Sequence, residues 1–203
     1  MRILYFFLVI VLFTGCRQGK KPLLGETEYQ RKVNADFKDV TKSPLKKRDL
    51  KDFDGLDFFK FDSSFVIRAT LKRTPNSEWF KMQMSDGSIS KERVYGILNF
   101  NLNGQDFSLN VYQGQELMNQ SGWEDYLFLP FLDETNGETT YGGGRYIDLQ
   151  IPEKDTLIID LNTAYNPYCA YNEKYACPIV PRENYLNIMV TAGLKDFKSK
   201  YLE

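Results

Sequence analysis

The sequence predicts a mainly β protein: a single antiparallel β-sandwich or barrel, preceded by one or two short N-terminal helices. Three observations carry the prediction. From Phe65 onward apolar and polar residues alternate with a period of two. Turn dipeptides, above all Asn103-Gly104, separate the alternating runs. No long helical pattern lies between those runs, which argues against a parallel α/β sheet. Aromatic residues make up 15% of the chain, a share that pleated, half-buried surfaces use well.

The N-terminus is read before the fold begins. Arg2 is followed by an unbroken apolar run from Ile3 to Phe13 and then Thr14-Gly15-Cys16. That run is too short to span a bilayer, which takes roughly twenty residues. A charged start, a short apolar stretch and small residues before a break describe a signal peptide. A cysteine directly after the small residues resembles a bacterial lipoprotein signal, with Cys16 lipidated after removal of residues 1–15. An ordinary signal peptide or short membrane anchor is the alternative. The expected organisation is a signal peptide at 1–15, a tether at 16–24 and one β-rich domain at 25–203. Arg17 follows Cys16 without an acidic run. By resemblance to lipoprotein sorting rules, this places the anchor on a periplasm-facing outer membrane in a two-membrane cell and on the outer surface in a one-membrane cell.

Tyr29, Val33, Phe37 and Val40 recur three or four residues apart, with Glu26 and Glu28 at the start, and predict the first helix. Pro44 biases Ser43 away from helix, and Ser43-Pro44 can open a second short one reaching Leu50 and Phe53. The strands follow at Phe65–Leu71, Trp79–Met84, Val94–Leu102 and Phe107–Tyr112, the last two joined by the Asn103-Gly104 hairpin. Tyr126–Leu132, Arg145–Ile151, Leu157–Leu161 and Leu186–Thr191 complete about eight or nine.

Composition excludes some functions. A formal charge of −1 does not supply the basic field nucleic acid needs, so no nucleic-acid partner is expected. Histidine is absent, which removes the commonest general base and zinc ligand. Asp133, Glu134, Glu138, Asp148 and Asp160 could supply oxygen ligands for a divalent cation, but no spacing matches a known calcium loop, so no metal site is assigned and the cofactor is left open.

The chemistry-bearing residues concentrate between positions 133 and 177. Gly142-Gly143-Gly144 lies between strands, so it is neither a dinucleotide fingerprint nor a P-loop. Its backbone can approach an anion beside Arg145, or it can mark a bulge with Arg145 paired to Asp133, Asp148 or Asp160. An offset of three puts Arg145 and Asp148 on opposite faces of one strand, so Arg145 is expected to meet Asp160 or a ligand. Asp148 and Asp160 each lie in an apolar strand, where a carboxylate needs a partner, and are the candidates for acid–base work. Glu134 and Glu138 read as solvated loop residues. Cys169 and Cys177 form an even pair once Cys16 is lipidated, and an oxidising compartment favours a disulfide between them. A thiolate pair is the alternative.

Leu129-Pro130-Phe131, Asp133, Asn136-Gly137-Glu138-Thr139, Tyr141 through Asp148, Asp160, Asn162, Ala164-Tyr165-Asn166-Pro167, Cys169-Ala170 and Cys177-Pro178 resemble an uncharacterised bacterial and archaeal family, domain of unknown function sixteen-eighty-four. Asn184, Leu186 and Ala192-Gly193 fit its closing segment, so the likeness spans roughly residues 28–196. Asp160-Leu161-Asn162 stands where the family often has Asp-Phe-Asn. The resemblance supplies no activity. Family members that look cytoplasmic carry similar paired cysteines, which sets the resemblance against a persistent disulfide.

The functional expectation is a lipid-anchored envelope module holding a small anionic or polyhydroxylated ligand. Arg145, Gly143 and Gly144 would take its charge, while Tyr141, Tyr146, Asn162, Tyr165 and Asn166 would stack and hydrogen-bond. A hydrolase using Asp148 or Asp160, with or without a metal, is the alternative, and a purely structural cluster the third.

Overall fold

The structure, a computed structural model, describes residues 24–199 and 201. The expected signal peptide, Cys16 and nearly all of the tether lie outside the described residues.

Helix α1 spans Glu28–Lys38, capped by the Thr27 side chain, which accepts a hydrogen bond from the Gln30 amide. It stops earlier than its apolar stripe suggests. The Asp39 carboxylate accepts hydrogen bonds from the Thr41 amide and hydroxyl, a local alternative to another helical turn. Val40 is consequently left 79% exposed. The buried face carries Phe37 and two amides. Asn34 donates to the Leu24 carbonyl (2.8 Å) and accepts from the Leu56 amide (2.7 Å), pinning the helix to its flanks. Helix α2 is a short turn at Lys47–Lys51. Phe37, Leu45, Phe53, Leu56, Tyr171 and Leu194 form one apolar cluster, so the helical segment packs on the 165–195 region.

The strands are β1 (Val66–Arg73), β2 (Phe80–Gln83), β3 (Ile89–Leu102), β4 (Gln105–Gly114), β5 (Tyr126–Asp133), β6 (Arg145–Gln150), β7 (Thr156–Asp160) and β8 (Tyr185–Leu186). They form one mainly antiparallel sheet in the order β6-β5-β4-β3-β1-β7, curled as a half-barrel. β2 adds to β3, and β8 pairs with β5 in parallel. The β3–β4 hairpin turns at Asn103 (φ 54°) and Gly104 (φ 84°), the left-handed pair that a two-residue turn requires.

One face buries Ile67, Ala69, Leu71, Leu98, Phe100, Leu102, Phe107, Leu109 and Val111, with Leu127, Leu129 and Phe131 from β5. The other face is covered too, where Met82, Tyr112, Phe128, Tyr146 and Val180 pack together. β5 is thus buried on both sides, which accounts for its unbroken apolar run from Leu127 to Phe131.

Two features of the 161–195 region position the site. After β7 the chain makes a tight turn at Leu161–Thr163, and Tyr165 then pairs with Tyr146 of β6 through reciprocal backbone hydrogen bonds (2.9 and 3.0 Å). The stretch expected to be a strand from Leu186 to Thr191 is one only at Tyr185–Leu186. Beyond it the carbonyls of Val190, Ala192 and Leu194 accept from the Arg145 guanidinium instead of from a neighbouring strand.

Candidate functional site

Asp148 stands opposite Phe128 in the β5–β6 register, on the face turned away from the main core. One of its carboxylate oxygens, Oδ1, accepts from the Tyr126 hydroxyl (2.8 Å) and the Tyr165 hydroxyl (2.5 Å). Burial raises the pKa of both phenols, and the nearby Asp148 charge raises them further, so both remain donors. The second oxygen, Oδ2, receives no hydrogen bond from the described residues, and Asp148 is exposed.

This carboxylate borders a cleft of about 730 Å³ whose wall is largely aromatic: Tyr29, Trp123, Tyr126, Tyr146, Tyr165, Tyr168, Tyr171 and Tyr175. The rings brace one another, Trp123 on Tyr126 at 5.2 Å, Tyr146 on Tyr165 at 5.9 Å and Tyr168 on Tyr175 at 5.3 Å between centroids. Tyr29 is held by its hydroxyl on the Thr163 carbonyl (2.8 Å), and burial followed by the Asp148 and Asp160 charges raises its pKa. Lys32, Asp36 and Lys42 sit at the rim, the last two ion-paired at 2.9 Å. Flat ring faces offer stacking surface, and an open carboxylate oxygen accepts hydrogen bonds from hydroxyl or N–H groups.

An adjoining cleft of about 380 Å³ shares Tyr126, Tyr146 and Tyr165 and holds Glu92. Burial pushes the Glu92 carboxyl up to about 6, opposed by Ser90 and assisted by the Glu116 charge.

The expected residues divide between this site and the scaffold. Asp148, Tyr165 and Asn166 line the cleft, and Tyr146 forms part of its wall. Asn166 is almost wholly buried and donates to the Lys195 carbonyl (2.8 Å), so its role is to fix the chain. Asp160 caps the turn at Leu161–Thr163, accepting from the Asn162 amide (2.9 Å) and side chain (2.8 Å). Asn162 in turn bonds both backbone polar groups of Asp62, 100 residues away in sequence. These two are struts.

Arg145 requires a correction. Instead of facing a ligand it is fully buried, with Nη2 on Asp133 Oδ2 (2.8 Å) and on the Val190 carbonyl, and Nη1 on the carbonyls of Ala192 and Leu194. Its guanidinium also lies over the Phe131 ring. Asp160 cannot be its partner through strand pairing, because β7 and β6 are opposite ends of the sheet. The glycines are likewise turn residues, not an anion cradle. The Gly144 amide donates to the Tyr141 carbonyl (3.2 Å), and Gly144 itself is buried at φ 88°. A Cβ there would come within 2.7 Å of the Phe131 carbonyl oxygen, which is why glycine stands at this position. Gly143, in the same turn, is exposed and lies against the Tyr141 ring. Glu134 and Glu138 are exposed, as expected of solvated loop residues.

The disulfide expectation is also corrected. Cys169 and Cys177 are free thiols held side by side, the Cys169 amide donating to Cys177 Sγ at 3.1 Å. The Cys177 thiol hydrogen-bonds the Cys169 sulfur and lowers its pKa to about 6 against the opposing effect of burial, while the Cys177 thiol is pushed up. The Tyr141 hydroxyl lies 3.9 Å from Cys169 Sγ. Burial, then the neighbouring sulfur, raises Tyr141 to about 12.

Sequence reasoning missed Glu92, Tyr126, Tyr29 and Trp123 as site residues. Tyr126 shares strand parity with Phe128 and could have been placed on the Asp148 face. Glu92 sits beyond the Val94–Gly96 register shift, where alternation loses its meaning.

A family model described as "Protein of unknown function (DUF1684)" matches residues 51–195. No curated protein matches the chain. Among solved structures, the chain is similar to the solution NMR structure of an uncharacterized protein from gene locus rrnAC0354 of Haloarcula marismortui. The two share 32% identity over 83% of this chain and 93% of the other, with a TM-score of 0.63. The chain belongs to the DUF1684 family of proteins of unknown function.

Proposed function

We propose that this is a lipid-anchored cell-envelope protein whose Asp148 cleft binds a small polyhydroxylated ligand. The observation that carries the binding reading is the Asp148 carboxylate itself. Two half-buried tyrosines fix one oxygen and leave the other open at an aromatic-walled cleft. A sugar-like molecule fits that chemistry, presenting C–H faces to rings and hydroxyls to the free oxygen. An anionic ligand suits it less well, since the carboxylate among the tyrosines is negative, Arg145 is consumed in the core, and the cleft's cations are Lys32 and an Asp36-paired Lys42. The lipid anchor rests on the Arg2, Ile3–Phe13 and Thr14-Gly15-Cys16 pattern. A panel of mono- and oligosaccharides, titrated against the wild type and Asp148→Asn with Trp123 fluorescence as the readout, tests the binding reading.

A second reading, hydrolysis, is favoured by one observation. Glu92 is a carboxyl raised to about 6, in a cleft that shares three tyrosines with the Asp148 cleft. A carboxyl raised by burial suits a general acid, with Asp148 as the candidate partner across the shared tyrosines. Release of a chromophore from aryl glycosides, lost in both Glu92→Gln and Asp148→Asn, would distinguish it from binding alone.

A further inference from the structure

Cys177 borders the tyrosine cleft, where the proposed recognition is by Asp148 and the rings, and the cysteine pair's geometry has a chemistry of its own. The two residues are eight apart in sequence, and the Cys177 sulfur is within hydrogen-bond distance of the Cys169 amide (3.1 Å). Reciprocal anchors hold them there. The Cys169 amide points at Cys177 Sγ, and the Cys177 amide donates to the Ser85 hydroxyl (3.0 Å). The Ser85 amide returns a bond to the Cys177 carbonyl (2.8 Å), and the next carbonyl, of Pro178, takes the Tyr146 hydroxyl. Access is unequal. Cys169 is half-buried and opens on a small cleft of about 150 Å³ with Lys46, Arg48 and Glu173 on its walls, whereas Cys177 lines the tyrosine cleft but is only 6% exposed.

We propose that Cys169 and Cys177 form a thiol–disulfide exchange site for low-molecular-weight aliphatic disulfides, with Cys169 the attacking thiol and Cys177 the resolving one. The Cys169 thiolate attacks one sulfur of R–S–S–R; a Cys169–S–S–R bond forms, the old S–S bond breaks and R–S⁻ leaves. The Cys177 thiol then gives up its proton and attacks the Cys169 sulfur, expelling the second R–S⁻ and closing a Cys169–Cys177 disulfide. Two electrons pass from the cysteines to the small disulfide, and the two thiol protons end on two R–SH molecules. The dithiol seen in the structure is then the reduced half of a couple, not a permanent cross-link.

The assignment of roles rests on exposure and on which sulfur is stabilised as the anion. Cys169 takes hydrogen bonds from Cys177, Ser85 and Tyr141, and these hold its thiol down to about 6. The titratable and charged groups facing the pair are Tyr141 and Tyr146, with Lys46, Arg48, Asp49 and Glu173 around the Cys169 opening. With its thiol lowered, more of Cys169 than of a free cysteine is thiolate at pH 6. After discounting the lower nucleophilicity of an acidified thiol, it should react about ten-fold faster than a free cysteine at that pH.

The test uses the full chain, reduced and then exposed to glutathione disulfide, with acid quench, intact mass and peptide mapping to separate Cys16 from the pair. The expected wild-type product is an internal Cys169–Cys177 disulfide preceded by a transient adduct mapping to Cys169. Cys177→Ser should retain the Cys169 adduct, and Cys169→Ser should leave Cys177 unmodified while folded. An early wild-type adduct on Cys177 overturns the proposal, as does Cys169 reacting no faster than free cysteine at pH 6. Because both readouts are taken on the wild type, a misfolded variant does not decide the outcome.

Discussion

Arg145 gives the sharpest test of how the fold is tied together. Its guanidinium reaches one carboxylate and the carbonyls of Val190, Ala192 and Leu194 from a site with no solvent access. Asp133 is equally committed: Oδ2 takes Arg145, and Oδ1 takes the Thr135 amide, the Thr135 hydroxyl and the Val190 amide. Replacing Arg145 by alanine leaves a buried carboxylate without its counter-charge and three carbonyls without a shared donor. Removing one member of a buried pair costs about 3–5 kcal/mol. For a chain of this size that lowers the melting temperature by roughly 6–20 °C. Arg145→Lys should lose much of the same stability, because an ammonium cannot reproduce a planar fork reaching Asp133 and the 190–194 carbonyls together. Urea and thermal melts of both variants measure this, and a cycle with Asp133→Ala should show losses well short of additive. If Arg145→Ala costs under about 1 kcal/mol, or Arg145→Lys is as stable as the wild type, the structural reading of this residue is refuted.

Other predictions follow from the same geometry. Glu92 has a folded pKa of about 6, above its unfolded value, so its contribution is fully present below the unfolded pKa and lost as pH rises through 6. Glu92→Gln should therefore gain up to about 2 kcal/mol of stability relative to wild type at pH 8 and little at pH 4, read from urea melts at both; an equal effect at both would contradict this. Cys16→Ser should abolish incorporation of labelled fatty acid and leave an unprocessed precursor, and a label persisting in the variant would contradict the lipid anchor.

Much of the fold was legible because the sheet obeys a simple period. The β3–β4 hairpin was readable from Asn103-Gly104 and from the alternation of Phe100, Leu102, Phe107, Leu109 and Val111, all of which point into one core. Even Phe100 and Phe107, opposite each other in register, stack at 5.9 Å. Parity also separated Arg145 from Asp148 correctly, sending one into the core and the other to the cleft. What parity could not supply was partners. Arg145 was expected to meet Asp160 or a ligand because the carbonyls it binds belong to residues 190–194, some 45 positions later, in a stretch whose apolar residues suggested a strand. Tyr29 read as one more residue of an apolar helical stripe, and nothing local shows that its hydroxyl reaches Thr163. Cleft residues drawn from α1, β5, β6 and the 165–177 segment converge only once the chain crosses from β7 back to β6.

The central claim is that the open oxygen of Asp148 holds the hydroxyls of a polyhydroxylated ligand, and Asp148→Asn tests it with the least disturbance. The amide oxygen can still accept from Tyr126 and Tyr165, so the fold should be kept, while the outward atom changes from an acceptor to a donor. A hydrogen bond to a charged group contributes about 1.5–3 kcal/mol, so affinity should fall about 10- to 100-fold. Amide-resolved NMR titration with saccharides measures this directly on both proteins. Shifts should be confined to Trp123, Tyr126, Tyr165 and their neighbours and be strongly weakened in the variant at unchanged melting temperature. Saccharide shifts of equal size in wild type and Asp148→Asn, or none in the wild type at millimolar sugar, would contradict the assignment.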